Sequence, residues 1–232
     1  MPDSETAAPA PSILETARTM MVDSQVRPNK VVDPRVIDAM RRLPREAFLP
    51  PELAERAYCD EDVALGRGRV MPEPMMIARL VQIAAIRRGE RVLVVGAGTG
   101  YASAVLAACG ASVIALEDDA ELIRIAKAAL AAQAPGVALV EAPLALGWQQ
   151  GAPYDCVLVE GAVEVLPPAI ADQVSSTGRL VMIRRQGGRM GQAVIGRPVS
   201  TSNGRQTLSF TVVFDCAVPS LPAMRRTAAF VF

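Results

Sequence analysis

The sequence contains no histidine, so no imidazole base, nucleophile partner or metal ligand can be built from it. Its four cysteines, Cys59, Cys109, Cys156 and Cys216, are too far apart for a zinc ligand set, and no metal is expected. Three of them lie in apolar stretches and read as buried free thiols of a reducing cytosol. Aromatic residues are scarce at 4%, with one tryptophan. Neither sign of charge is in excess, with 24 Lys and Arg against 24 Asp and Glu. That balance removes any electrostatic reason to expect nucleic acid or an acidic membrane as partner. The sequence has no apolar run of about 18 residues, the length a membrane span needs. Its first residues lack the basic and apolar regions of a signal peptide, so a cytoplasmic location is expected.

What is present is 51% hydrophobic and 21% charged over 232 residues, enough for one sizeable folded domain. Residues 1–11, rich in Pro and Ala, are expected to be a disordered tail. The rest, 12–232, reads as a single domain in two parts: N-terminal helices and a loop over 12–88, then a sheet over 89–232. Ser12 and Glu15 form a capping box for a helix running to about Arg27, before Pro28. Asp33 and Pro34 start a second helix, with Val36, Ile37, Met40 and Leu43 on its apolar side. Pro44, Pro50 and Pro51 then cut the chain into short helical pieces. Residues 60–73 are expected to be a loop, and a helix follows from Pro74, with Arg87 and Arg88 in its last turn and Gly89 ending it. Helices over 102–108 and 120–132 alternate with strands over 92–96, 112–117, 137–140, 154–159 and 179–183. Strands over 192–195 and 207–216, joined through Ser202-Asn203-Gly204, close the chain as an antiparallel pair. The pattern is α/β: a doubly wound, Rossmann-like, mostly parallel sheet of about seven strands under an N-terminal helical cap.

The most informative stretch is Arg91–Tyr101, RVLVVGAGTGY. An apolar strand runs into Gly96-Ala97-Gly98-Thr99-Gly100, and a helix begins at Tyr101. Glycines there admit positive φ and close approach of a ligand, and the helix N-terminus presents free N–H groups. The dinucleotide fingerprint requires a small residue three places after Gly98, where Tyr101 stands; a P-loop requires a Gly-Lys-Ser/Thr that is absent. The alternating glycines instead resemble the turn of S-adenosylmethionine-dependent methyltransferases. The next strand ends in Glu117, an acid that can accept both ribose hydroxyls of an adenosine.

Beyond this turn, nearly the whole chain after residue 12 resembles the protein-L-isoaspartate O-methyltransferase family. The likeness is carried by MVDSQVRPNKVVDPRVIDAMRRLPREAFLP, PEPMMIARL, VLVVGAGTGYASAVLA, APYDCVLVEGAVEVLPPAI and GRLVMI. It implies a methyl-donor-binding sheet with N-terminal helices, S-adenosylmethionine as cofactor, and a protein or peptide acceptor methylated on an isoaspartyl carboxylate. The donor contacts it implies are Gly96, Ala97, Gly98, Thr99, Gly100, Tyr101 and Glu117, with Glu141 and Ala142 near the adenine.

Two departures from the family pattern stand out. The family's acceptor-loop Ser or Thr corresponds to Pro72, in Met71-Pro72-Glu73-Pro74, and proline has no hydroxyl or N–H to offer a carboxylate. If Glu73 faced the acceptor site, two carboxylates ~4 Å apart would repel by roughly 4 kcal/mol at an effective dielectric near 20. The family's Gly-Asp-Gly turn is replaced by Glu141-Ala142-Pro143-Leu144, while Gly147-Trp148 remain. A carboxylate acceptor needs no base, whereas a hydroxyl or amine acceptor does. Glu73 and Glu160 are the acids expected nearest the acceptor mouth, Glu160 because it ends the fourth strand. Trp148, Met71, Met75 and Met76 read as packing residues. The alternatives to an isoaspartyl enzyme are a methyltransferase with another acceptor and a non-catalytic donor-binding regulatory protein. The oligomeric state is not written in the sequence.

Overall fold

In the computed structural model, residues 12–187, 189–200 and 206–226 are described. The tail over 1–11 and the Ser202-Asn203-Gly204 turn lie outside the described residues. Nine strands and six α-helices are found among those described: β1 Val63–Gly66, β2 Arg69–Met71, β3 Arg91–Val95, β4 Ser112–Glu117, β5 Ala138–Glu141, β6 Tyr154–Val163, β7 Val174–Arg184, β8 Gly191–Ser200 and β9 Gln206–Cys216; α1 Ile13–Met21, α2 Pro34–Arg42, α3 Pro74–Ala84, α4 Tyr101–Ala108, α5 Ala120–Gln133 and α6 Pro168–Ala171. Seven strands make one sheet in the order β5-β4-β3-β6-β7-β8-β9, parallel from β5 to β7 and antiparallel at β8 and β9.

The chain winds outwards in one direction through β3, β4 and β5, then returns to lay β6 beside β3 and continues the other way. The carboxyl ends of β3 and β6 therefore flank the point where the winding reverses, the place where open α/β sheets hold ligands. Side chains alternate across the sheet as the pleat demands. Val92 and Val94 of β3 pack with α1 to α5 in one core, while Leu93 and Val95 pack with Leu144, Tyr154, Ile170, Leu221 and Met224 in another. The first face carries nearly all the helix. The second is covered by α6, short 3₁₀ turns and the C-terminal segment. Trp148 packs on this second core and its N–H donates to Gln173 Oε1 at 2.8 Å.

The N-terminal caps follow the sequence. Ser12 and Glu15 exchange the two bonds of a capping box, and Asp33 accepts from the Arg35 N–H at 2.9 Å. Helix α1 ends at Met21; a π-helical turn over Val22–Val26 and a 3₁₀ turn over Arg27–Asn29 carry the helical path past Pro28 to Lys30, at φ 64°. Residues 60–73 are not a simple loop: β1 and β2 pair antiparallel about Gly66-Arg67-Gly68. All three turn residues have positive φ, which the two glycines permit. Helix α3 ends at Ala84 rather than at Arg88, because Ala85 turns left-handed at φ 48°. Its last carbonyls are taken by Arg179 of β7, which bonds Ala84 O and, at 3.2 Å, Ala85 O. Arg87 and Arg88 thus lie beyond the helix.

Arg179 also ion-pairs with Glu90, the residue before β3, at 2.6 Å and donates to Asp155 O at 3.2 Å, so one side chain ties the end of α3, the lead into β3, β6 and β7 together. Removing one partner of such a nearly buried pair strands the other charge. Arg179→Ala is expected to lower the unfolding free energy by about 3 kcal/mol, read from urea denaturation; a loss below about 1 kcal/mol would contradict this role.

Candidate donor and acceptor site

The glycine turn begins where β3 ends. Gly96, Gly98 and Gly100 all have positive φ, at 73°, 57° and 95°, so the alternating spacing is a backbone requirement. Each has different surroundings. A Cβ on Gly100 would meet Leu130 of α5 at 3.0 Å, so this glycine permits helix packing. A Cβ on Gly98 would meet nothing within 4 Å, so beside this buried residue there is room rather than packing. A Cβ on Gly96 would meet the Leu221 side chain at 3.1 Å and Arg69 Nη2 at 3.5 Å.

Glu117, at the end of β4, is fully buried. Its Oε2 accepts the Gly98 N–H at 2.7 Å, and its Oε1 accepts the N–H groups of Asp118 and Asp119 at 3.0 and 3.1 Å. The carboxylate is thereby fixed to the same turn that a donor would approach. It also receives the Arg69 guanidinium in bidentate fashion, Nη1 to Oε1 at 2.6 Å and Nη2 to Oε2 at 2.8 Å, while Nη2 also bonds Gly96 O at 3.0 Å. Burial works against the charge on Arg69, but the bonds to Glu117 outweigh it and hold its pKa above the ordinary value.

Glu160 lies one strand away and is buried; it does not end its strand as expected, because β6 continues past the end of the β3–β6 pairing, through an irregularity between Leu158 and Ala162, to Val163. Its Oε2 has no hydrogen-bond partner among the described residues. Burial pushes its pKa up to about 8; Arg69 and Arg45 pull it down and Glu117 pushes it up. The upward shift favours the protonated carboxyl, the form that can donate a hydrogen bond. Arg45, fully buried, donates to Ala57 O at 2.7 Å and to Pro72 O at 2.6 Å, and lies 5.0 Å from the Tyr101 ring centroid. Arg45 thus links Pro72, Tyr101 and the surroundings of Glu160. Tyr101 itself packs edge-on against Phe48 at 5.4 Å, and its buried hydroxyl has no partner among the described residues.

Glu73 stands apart from this group. It is half-buried at the start of α3; its N–H donates to Asp62 Oδ1 at 2.9 Å, and burial, then Asp62 and Asp60, raise its pKa. Pro72 is buried against Arg45, whereas Glu141 is exposed on the edge strand β5, in register with Glu117. Ala142 is half-buried and donates its N–H to Glu117 O at 3.2 Å. Ala97 and Thr99 are buried within the turn. The structure thus gathers Gly96, Gly98, Glu117 and Glu160 at the sheet's reversal point, with Pro72 nearby through Arg45, and leaves Glu73 and Glu141 outside. Sequence reading missed Arg69, Arg45 and Leu221. The available signal for Arg69 was its parity: it shares the inward face of β2 with Met71.

A buried acid at the end of β4, a glycine turn and an adjacent crevice define a nucleoside-binding α/β sheet of the methyltransferase type. The sequence profile of the protein-L-isoaspartate(D-aspartate) O-methyltransferase family matches residues 16–199. Protein-L-isoaspartate O-methyltransferases of Methylorubrum populi and Methylorubrum extorquens are similar to this chain at 41% and 43% identity. The matches cover 72% and 75% of this chain and 79% and 76% of theirs. The chain belongs to the protein-L-isoaspartate O-methyltransferase family. In fold it is similar to a Plasmodium falciparum structure described as such an enzyme with S-adenosyl-L-homocysteine bound: TM-score 0.73, 18% identity, covering 89% of this chain and 98% of that one. Among the described residues no helix is long and apolar enough to cross a membrane.

The raised pKa of Glu160 sets a pH signature with a definite sign. Between the usual carboxylate range and about pH 8 the folded state holds a proton that the unfolded state has released, so stability falls as pH rises through that window. Glu160→Gln is expected to lose much of this slope between pH 5 and 8.5, read from denaturation midpoints. Parallel pH profiles for the two proteins would contradict a protonated Glu160.

Proposed function

We propose that this chain is an S-adenosylmethionine-dependent O-methyltransferase that acts in the cytoplasm, as one domain over 12–232, on isoaspartyl carboxylates of protein or peptide acceptors. The observation carrying the reading is Glu117, an acid held by three main-chain N–H groups beside the room at Gly98, in a chain whose family match spans 16–199. These groups suit an adenosyl ligand: Glu117 would accept ribose hydroxyls, and Gly96 and Gly98 admit close approach of the backbone. The donor supplies an activated methyl on a positive sulfur. The protein's task is to place an acceptor oxygen in line with it.

An ionised carboxylate needs no base to attack, so no proton-abstracting residue is required. What it needs is a donor to hold and orient it. Pro72 cannot provide the family's hydroxyl; Glu160, when protonated, and the Tyr101 hydroxyl and Arg45 Nη1, unpartnered among the described residues, are buried groups able to donate. Glu73, half-buried beside Asp62 and Asp60 and apart from the group around Glu117 and Glu160, takes no part in holding the acceptor.

Methyl transfer from labelled S-adenosylmethionine to an isoaspartyl peptide, with the aspartyl peptide as control, tests the reading. Label is expected only in the isoaspartyl peptide. Pro72→Ser is expected to raise the rate by about five- to tenfold, the worth of one added hydrogen bond. No incorporation by either protein would contradict the proposal.

A further inference from the structure

The donor crevice is filled by two pieces of this chain that no part of the reaction requires. Arg69, on β2, occupies the outer side of Glu117. A carboxylate offers about four lone-pair positions, and three are used by the N–H groups of Gly98, Asp118 and Asp119. The guanidinium adds two bonds, one to each oxygen, which brings the carboxylate to five, so ribose hydroxyls can reach those oxygens only in place of Arg69. Leu221, in the segment after β9, occupies the next position. Its side chain packs over Gly96, just after β3, and Gly161 of β6, where added Cβ atoms would come within 3.1 and 2.6 Å of it. It is 3% exposed.

Each piece is held in place. The segment carrying Leu221 is laced to the end of β6: Leu221 N–H to Ala162 O at 2.9 Å, Ala162 N–H to Pro219 O at 3.0 Å, and Glu164 N–H to Met224 O at 3.0 Å. The Glu164 carboxylate adds a clasp, accepting from Ser220 Oγ at 2.8 Å and from the Arg226 N–H at 3.0 Å. The hairpin carrying Arg69 is held to the β4–α5 connection by Arg67 and Asp119 at 3.4 Å. The two pieces also meet: a Cβ on Gly68, at the hairpin turn, would lie 3.4 Å from Arg225 Nη2 and 3.9 Å from Pro222.

We propose that the β1–β2 hairpin and the 217–226 segment form a two-part, donor-competitive lid, so that the donor binds only when Arg69 leaves Glu117 and Leu221 leaves Gly96. The inference rests on the donor reading of the same crevice. Both pieces do work that the ligand must take over: Arg69 matches the buried Glu117 charge, and Leu221 fills the core beside Leu93 and Val95. Glu117 keeps three main-chain donors without Arg69, and Gly96 and Gly161 expose only backbone when Leu221 withdraws. The resting protein is thus held closed by interactions that the ligand must replace, and apparent affinity falls by the fraction of molecules that are open.

Calorimetric titration of S-adenosyl-L-homocysteine tests this on the wild type and on Arg69→Gln, Leu221→Ala and Glu164→Gln. Each variant frees a different part of the lid, so one that fails to fold leaves the others. Affinity is expected to rise by about tenfold or more in the variants. Amide hydrogen exchange on the wild type supplies a second reading. Ligand is expected to accelerate exchange at Ala162, Leu221, Glu164 and Val165, whose N–H bonds lace the segment down. Variants that bind no more tightly than a binding wild type, or ligand-induced protection of those amides, would overturn the lid and leave the donor reading standing. Absence of binding in every protein would overturn both.

Discussion

The structure turns on where one carboxylate is fixed. Glu117 ends the second strand of the parallel sheet, and its two oxygens are pinned by main-chain N–H groups from the glycine turn and from its own following residues. Those bonds couple the end of β4 to the turn after β3, so the sheet's register and the shape of the ligand crevice are set together. A buried anion in that position must be matched. In this chain the match comes from Arg69, which reaches in from a hairpin nearly fifty residues earlier in sequence. The positions of the hairpin, of Leu221 and of the C-terminal segment follow from that pairing.

A second consequence concerns charge on the acceptor side. Arg69, Arg45, Glu117 and Glu160 are all withdrawn from water, so their charges act on one another with little screening. Two guanidinium groups act on two carboxyls, yet burial outweighs their pull on Glu160 and leaves its pKa raised. Arg45 links this group to Pro72, since it holds Pro72 O while its charge acts on Glu160.

Much of the fold was legible in the sequence because it depends on local signals. The capping box at Ser12, the Asp33-Pro34 start, the apolar runs of β3, β4 and β6 and the glycine turn all declare themselves within a few residues. The seven-stranded, mostly parallel sheet followed from their alternation. What was not legible depends on partners distant in the chain. Helix α3 stops early because Ala85 turns left-handed and Arg179, nearly a hundred residues later, takes the freed carbonyls. The 60–73 stretch hides a hairpin because Gly66-Arg67-Gly68 reads equally well as an open loop. In the site, the glycines and Glu117 were found from spacing. Arg69 and Leu221 were not, since an arginine opposite a buried acid and a leucine over two glycines are visible only once the strands are laid side by side.

The account is tested most directly by a crystal structure of the protein with S-adenosyl-L-homocysteine. The predicted result is the ribose on Glu117, with the Arg69 guanidinium moved away from both carboxylate oxygens and Leu221 lifted from Gly96. A complex in which Arg69 still holds Glu117 through both nitrogens, with the ligand bound elsewhere, would contradict it.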